Sequence, residues 1–319
     1  MKRFGMSLPI GGVPLHQHED WIKELADLGY TDLWSSEAGG HDGFTPLALA
    51  STWAPDMRLG IAIIPAFTRG PALLAQSAAS LAEAAPGRFV MGVGTSSNVI
   101  VQNWNGIPFE EPYKRTRDTV RFMRAALAGE KITETYDSFD VKGFRLQMPP
   151  PDPQPPILIA ALRQGMLKLA GKVGDGAILN WLSAEDVKTV APYVHEGGPG
   201  KEIVARLFVI PTADREKARA IARRGAAAYL NVPVYAAFHE WLGRGDQLKG
   251  MWDAWKAGDR KAALEAIPDE VVDDLVIHGS PEECRDHIER YREAGVTTPA
   301  LAILYADDQR QAMRDLAPR

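Results

Sequence analysis

Four short polar stretches interrupt an otherwise apolar rhythm, and each has a chemistry that its residue types could support. Glu37, His41 and Asp42 sit among Gly39, Gly40 and Gly43. A histidine beside a carboxylate can relay a proton near neutral pH, and glycines let such a loop approach a ligand closely. Gly94-Thr95-Ser96-Ser97-Asn98 offers backbone N–H groups and small hydroxyls without bulk, which suits a phosphate, a ribityl chain or a sugar. Leu162-Arg163-Gln164-Gly165 opens a helix. Free amides there attract anions, and a guanidinium adds a two-pronged donor. Asn180-Trp181 is the fourth stretch. Each also has a plainer reading: an ordinary turn, a solvated loop histidine, an arginine at a wet helix start.

Other chemistries find less support. His16-Gln17-His18 has the form of the metal pair that follows the first strand of several barrel hydrolases. The matching positions further on carry Ala161-Leu162 and Asn180-Trp181 instead of the histidines such a site requires. A single G-x-G without its third glycine does not make a dinucleotide fingerprint. No G-x-S-x-G elbow and no Walker loop occurs.

The polar stretches follow apolar runs, and the runs alternate with helical patterns. Leu59–Ile64 is a short apolar run ended by Pro65, as expected of a strand covered on both faces. Pro71 then starts a helix whose Leu74, Ala78, Leu81 and Ala85 share one face, and Pro86-Gly87 stops it. The next run is Arg88–Val93. The remaining strands read as Arg3–Leu8, Thr31–Ser36, Ile157–Ala161, Gly176–Trp181, Glu202–Ile210 and Ala300–Leu304. Helices fall between them: His18–Leu28 with Trp21, Ile22, Leu25 and Leu28 inward, one opened by Thr45-Pro46, and one with Tyr113, Thr116, Val120, Met123 and Leu127 inward. Ser183 with Asp186, and Ser280-Pro281-Glu282-Glu283, read as capping boxes, and Asp214 as a cap. Eight strands each paired with a helix point to a closed (β/α)8 barrel, with a doubly wound open sheet as the rival. We expect one domain over 1–319 with insertions at about 133–155 and 229–277. The first contains a hairpin over Phe139–Gln147 and the stiff connector Pro149–Pro156; the second is helical and rich in tryptophan (Trp241, Trp252, Trp255).

Composition narrows the function. The chain has 319 residues and a formal net charge of −5, so no basic footprint for nucleic acid exists. No apolar run approaches a membrane span. The lone Cys284 allows no internal disulfide and reads as buried filler. Met1-Lys2-Arg3 leads straight into a strand without a leader, and the expected location is the cytoplasm.

Longer stretches carry a resemblance. GYTDLWSSE, FTPLALAS, LGIAIIPAFTRGPALLAQSAASL, GRFVMGVGTSSNVIVQNWNGIPFEEP and ILIAALRQGMLKLAGKVGDGAILNWL together resemble the luciferase-like superfamily, most closely its coenzyme F420-dependent oxidoreductases of actinobacterial type. The resemblance implies a (β/α)8 barrel that transfers a hydride between coenzyme F420 and a small organic substrate. It also implies a non-prolyl cis peptide behind the cofactor ring, by position Ala62–Ile63. Gly94, Thr95, Ser96 and Asn98 would hold the cofactor tail, and Ala161, Leu162, Arg163 and Gln164 its phosphate. Leu162 and Gln164 depart from the glycine or proline of many relatives, which leaves the backbone amides as donors. Asn180 and Trp181 complete the expected cofactor site, with Trp181 as a wall. Glu37, His41 and Asp42 are the candidates for proton donation or substrate binding. A homodimer through the second and third helices is expected by analogy. FMN with a monooxygenase activity is the close alternative; a metal-dependent hydrolase and a non-catalytic flavin-binding protein are the rivals from other classes.

Overall fold

The apolar runs form the staves of a closed cylinder. A computed structural model describes residues 2–318. Its eight principal strands are β1 (Gly5–Ser7), β2 (Asp32–Ser35), β3 (Arg58–Ile61), β4 (Phe89–Gly94), β5 (Ile157–Ala160), β6 (Gly176–Asn180), β7 (Glu202–Pro211) and β8 (Thr298–Ile303). All pair in parallel around the ring, and β8 returns to β1 through Gly5 opposite Ala300 and Met6 opposite Leu301. Closure leaves no barrel edge and settles the choice against an open sheet. Ile64–Pro65 continues the third stave beyond the cis Ala62–Ile63 peptide, pairing with Val93 and Gly94. Met1, on which the reading of the chain start leans, lies outside the described residues.

The outer helices follow their sequence signals. In Pro71–Ala84, Leu74 and Ala78 are fully buried and Leu81 nearly so, with Ala85 buried just past the helix end. Ser183 with Asp186, and Ser280 with Glu283, close the two expected capping boxes, and Asp214 caps Arg215–Leu230. Tyr113 departs from its predicted buried stripe and is exposed, because the first turn of Pro112–Leu127 opens onto the barrel mouth.

Two insertions depart in detail. The hairpin is Ile132–Thr135 with Asp140–Phe144, earlier than the expected Phe139–Gln147. After Arg215–Leu230 come four helices, Pro233–Trp241, Gly245–Lys256, Arg260–Glu265 and Asp269–Leu275. They lead to an unanticipated strand, Ile277–Gly279, which adds to the upper end of β7. Among the described residues no helix is long and apolar enough to cross a membrane.

Side chains alternate along each strand, so every second residue enters the barrel, and two filled layers form a floor. The lower layer is ionic. Arg58 lies between Asp32 and Glu202, giving Glu202 two hydrogen bonds at 2.9 and 2.6 Å, while Thr298 donates to Glu202 at 2.6 Å. The upper layer is apolar: Trp34, Val90, Leu158, Ile178, Val204 and Ala300, with Ala62 and Ile63 resting on it. Trp34 lies across the axis because its neighbours have no side chain. A Cβ on Gly60 would stand 2.3 Å from the indole, and one on Gly5 would stand 2.7 Å from it.

Candidate active site

Above this floor, at the C-terminal ends of the strands, the barrel opens into a cavity of about 990 Å³. That is the end at which (β/α)8 barrels carry their chemistry. Ala62, Ile63, Ala160 and Ile178 line its inner part; Thr95, Ser96 and Ser97 line one side; Ala161 to Met166 line another. The tryptophan-rich insertion supplies much of the outer wall through Tyr235, Trp241 and Trp255, and Trp104 faces in from the helical turn Val99–Trp104.

Many of the residues predicted from sequence gather here: Glu37, Ala62, Ile63, Thr95, Ser96, Ala161, Leu162, Arg163, Gln164 and Asn180 all line the cavity. Others stand elsewhere. His41 is an exposed loop residue away from the lining. Asp42 also lies outside it. Its Oδ1 accepts from the backbone N–H groups of Phe44 at 2.9 Å and Thr45 at 3.0 Å, so Asp42 is spent on the start of the helix Thr45–Trp53. Burial disfavours the charged carboxylate of Asp42, but these hydrogen bonds outweigh it and hold its pKa below the usual value. Asn98 is exposed at the start of the turn Val99–Trp104 and does not face the cavity. Gly94 is buried just behind the lining; a Cβ there would stand 2.8 Å from that of Ala160 and 3.1 Å from the Ile63 side chain. Trp181 is not a cavity wall. Its backbone turns left-handed (φ 53°), and its ring is buried, stacked 4.1 Å from the Phe208 ring in the core beneath the insertion.

Glu37 reaches the cavity but its carboxylate is already engaged. Arg69 donates to Oε1, Thr68 reaches the same oxygen at 3.3 Å, and the Gly43 amide donates to Oε2 at 3.1 Å. A carboxylate held by a guanidinium, a hydroxyl and an amide ties its loop down and is poorly placed to release a proton. His18 is likewise in use. Its Nε2 accepts from the Ile10 amide at 2.8 Å, and its Nδ1 lies 3.0 Å from the Pro14 carbonyl. Among the described residues no group of three or more His, Cys, Asp or Glu side chains could hold a metal ion.

Two features suit an anionic ligand. Arg163 is extended and immediately precedes the helix Gln164–Val173, whose first amides have no intrahelical acceptor and no side-chain cap. Gln164 turns its amide out to Tyr193 at 2.8 Å and leaves that helix start open. Across the loop after β4, Ser96 holds a left-handed backbone (φ 61°). A non-glycine residue in that region is uncommon and concentrates at ligand sites.

Sequence reasoning missed Arg206 and Tyr235, which also line the cavity. The signal for Arg206 was present. Glu202 and Arg206 are charges four apart in the apolar run EIVARLFVI, so strand alternation puts both inside the barrel. Tyr235 arrives with the insertion, where no strand periodicity applies.

The comparisons with known proteins agree with this architecture. A Mycobacterium tuberculosis protein named as a coenzyme F420-dependent oxidoreductase is 27% identical over 96% of this chain and 95% of its own. The 5,10-methylenetetrahydromethanopterin reductase of Archaeoglobus fulgidus is 24% identical over 98% and 96%. Among solved structures, the coenzyme F420-dependent tetrahydromethanopterin reductase of Methanopyrus kandleri superposes with a TM-score of 0.81 at 20% identity, over 99% of this chain and 97% of that one. A type II Baeyer–Villiger monooxygenase of Pseudomonas putida in complex with FMN gives 0.68 at 18%, over 99% and 97%. At such identities the superpositions speak for the fold alone. The family model for luciferase-like monooxygenases matches residues 2–298, and the chain therefore belongs to that family.

Proposed function

We propose that this protein is a two-electron oxidoreductase that uses coenzyme F420 and a small organic substrate. The observation that carries the reading is the joint one: a cavity of about 990 Å³ on a closed floor, with an uncapped helix start and Arg163 at one side. A pocket of that size is at the upper end for small-molecule sites, leaving room for a ring system and a second molecule. The residues present fit a deazaflavin. Gly94, Ala160 and Ala62 keep side-chain bulk away from its inner part, and Gly94 cannot carry a Cβ without displacing Ala160 or Ile63. Thr95, Ser96 and Ser97 would hold the polar tail, and Arg163 with the amides of Gln164 and Gly165 its phosphate.

When bound, the cofactor supplies a hydride donor or acceptor; the protein supplies orientation and electrostatics. Trp104, Trp241 and Trp255 shield the space from water, and Glu37 holds the loop after β2 against Arg69 at its rim. Relatives named for coenzyme F420 favour this cofactor; FMN is the alternative, favoured by the monooxygenase neighbour solved with it. The test is a side-by-side titration of the purified chain with coenzyme F420 and FMN. Tighter binding of coenzyme F420, weakened by Arg163→Gln or Ser96→Ala without a change in melting temperature, is expected. Equal or reversed affinities would remove the cofactor assignment. A homodimer is the expected assembly, to be checked by light scattering.

A further inference from the structure

The barrel contains two inward arginines, and they are treated oppositely. Arg58, in the lower layer, has its charge matched by Asp32 and Glu202. Arg206, two layers up on the same side as Glu202, has no carboxylate within 4.0 Å and no hydrogen-bond acceptor among the described residues, although it is half-buried. Among the described residues it stacks on the Phe208 ring, 5.0 Å from the guanidinium. A guanidinium on a cavity wall with no counter-charge from its own chain is free to pair with an anion that comes from outside it.

The neighbours of Arg206 point the same way. Asn180 is its register partner on β6. The Asn180 amide donates to the Tyr235 hydroxyl at 2.9 Å, while Asn180 Oδ1 is buried without a partner. In this arrangement the Tyr235 proton is unclaimed. One polar hydrogen beside the guanidinium, that of Tyr235, is therefore available. Burial pushes the Tyr235 hydroxyl up to about 12, so it keeps its proton at physiological pH. Glu37, the carboxylate on the lining, is taken up by Arg69.

We infer that Arg206, flanked by Asn180 and Tyr235, is a specificity-determining anion site, and that the substrate is a small, largely apolar molecule bearing a carboxylate. Aromatic walls take the apolar body and Arg206 takes the acid. The inference deepens the reading of this cavity as the reaction site, but it concerns a different arginine from the one assigned to the cofactor phosphate. The two can therefore fail separately.

The test uses a matched pair of probes, 2-naphthoate and 2-naphthamide, which share an aromatic body and differ in charge. Binding is measured by calorimetry on the full chain, with and without coenzyme F420. The wild type should prefer the carboxylate on the order of tenfold, the scale of one charge-assisted hydrogen bond. Arg206→Met should abolish the preference, Arg206→Lys should keep part of it, and Arg163→Gln should leave it intact. Tyr235→Phe, which retains the ring, should reduce it and serves if Arg206→Met fails to fold. Equal affinity for the two probes in the wild type overturns the inference. So does failure of naphthoate to bind at millimolar concentration, survival of the preference in Arg206→Met, or its loss in Arg163→Gln. The cofactor reading is scored separately, by coenzyme F420 affinity in Arg163→Gln.

Discussion

Replacing Arg58 and Arg206 in turn by methionine should produce opposite results, although both arginines point into one barrel. Methionine keeps most of the aliphatic stem, so the change removes charge more than volume. At position 58 it removes the donor to Asp32, the bidentate pair to Glu202 and the bond to Thr298. Asp32 is fully buried and the Glu202 side chain is 18% exposed, so neither carboxylate can recover its hydration. Breaking such a pair from one side costs about 3–5 kcal/mol, a large part of the ~5–15 kcal/mol that holds a typical domain together. The pH dependence gives a second signature. Burial raises the Glu202 pKa, but the hydrogen bonds and charge of Arg58 outweigh it, and the net value is lowered. The stability this contributes in the wild type is present above the unfolded carboxyl value and is lost as pH falls through the lowered one. Without Arg58, only the Thr298 hydrogen bond and the Arg3 charge remain to offset the burial of Glu202, so its charged form is disfavoured and the deficit of Arg58→Met should shrink as pH falls from 7 toward 5. Arg206→Met, by contrast, should shift stability by less than about 1 kcal/mol or raise it, as expected when an unmatched functional charge is removed. Urea unfolding of the three proteins at pH 7 and pH 5 measures all of this. A deficit for Arg58→Met below about 1 kcal/mol, or one that grows on acidification, would refute the account of the ionic floor. An Arg206→Met protein as damaged as Arg58→Met would show that Arg206 has a structural partner.

Other outcomes follow from the same geometry. Gly60→Ala places a methyl 2.3 Å from the Trp34 indole; overpacking of this kind costs about 1–3 kcal/mol and should lower the melting temperature and alter tryptophan fluorescence, while an unperturbed protein would contradict the packing of the floor. Asp42→Ala removes the acceptor for the Phe44 and Thr45 amides and should cost about 1 kcal/mol while leaving the coenzyme F420 affinity unchanged; a large loss of binding would return Asp42 to the site. Burial, aided by the nearby Arg244 charge, pushes the fully buried His239 down to about 4. The folded state keeps this ring neutral while the unfolded chain protonates near 6.5, so its stability contribution is complete above pH 6.5 and declines as pH falls toward 4, by about 2 kcal/mol at pH 5. His239→Gln should flatten that part of the acid-stability curve, and a profile identical to wild type would disprove it.

What the sequence alone determined was whatever depends on near neighbours in the chain. All eight staves are legible as short, largely apolar runs because burial on both faces leaves few polar positions to alternate. The capping boxes at Ser183 and Ser280 were readable because the capping side chain and the amide it accepts from are three residues apart. The loops at strand ends that reach the cavity, Thr95 to Ser97 and Ala161 to Gln164, followed from the barrel rule once the strands were placed. Tertiary structure decided everything that depends on direction across the barrel. Asp42 and Glu37 are both acids in one glycine-rich loop, yet the first turns to a helix start and the second to Arg69, thirty-two residues away in sequence. Asn180 and Trp181 are adjacent, but alternation and a left-handed turn send one to the cavity and the other under the insertion. Arg206 could be assigned to the interior from its spacing to Glu202; that one arginine is neutralised and the other is not emerged only when β2, β3 and β7 closed on a common axis. Strand periodicity is a property of one segment, whereas the partner of an inward side chain is set by the register of segments far apart in sequence.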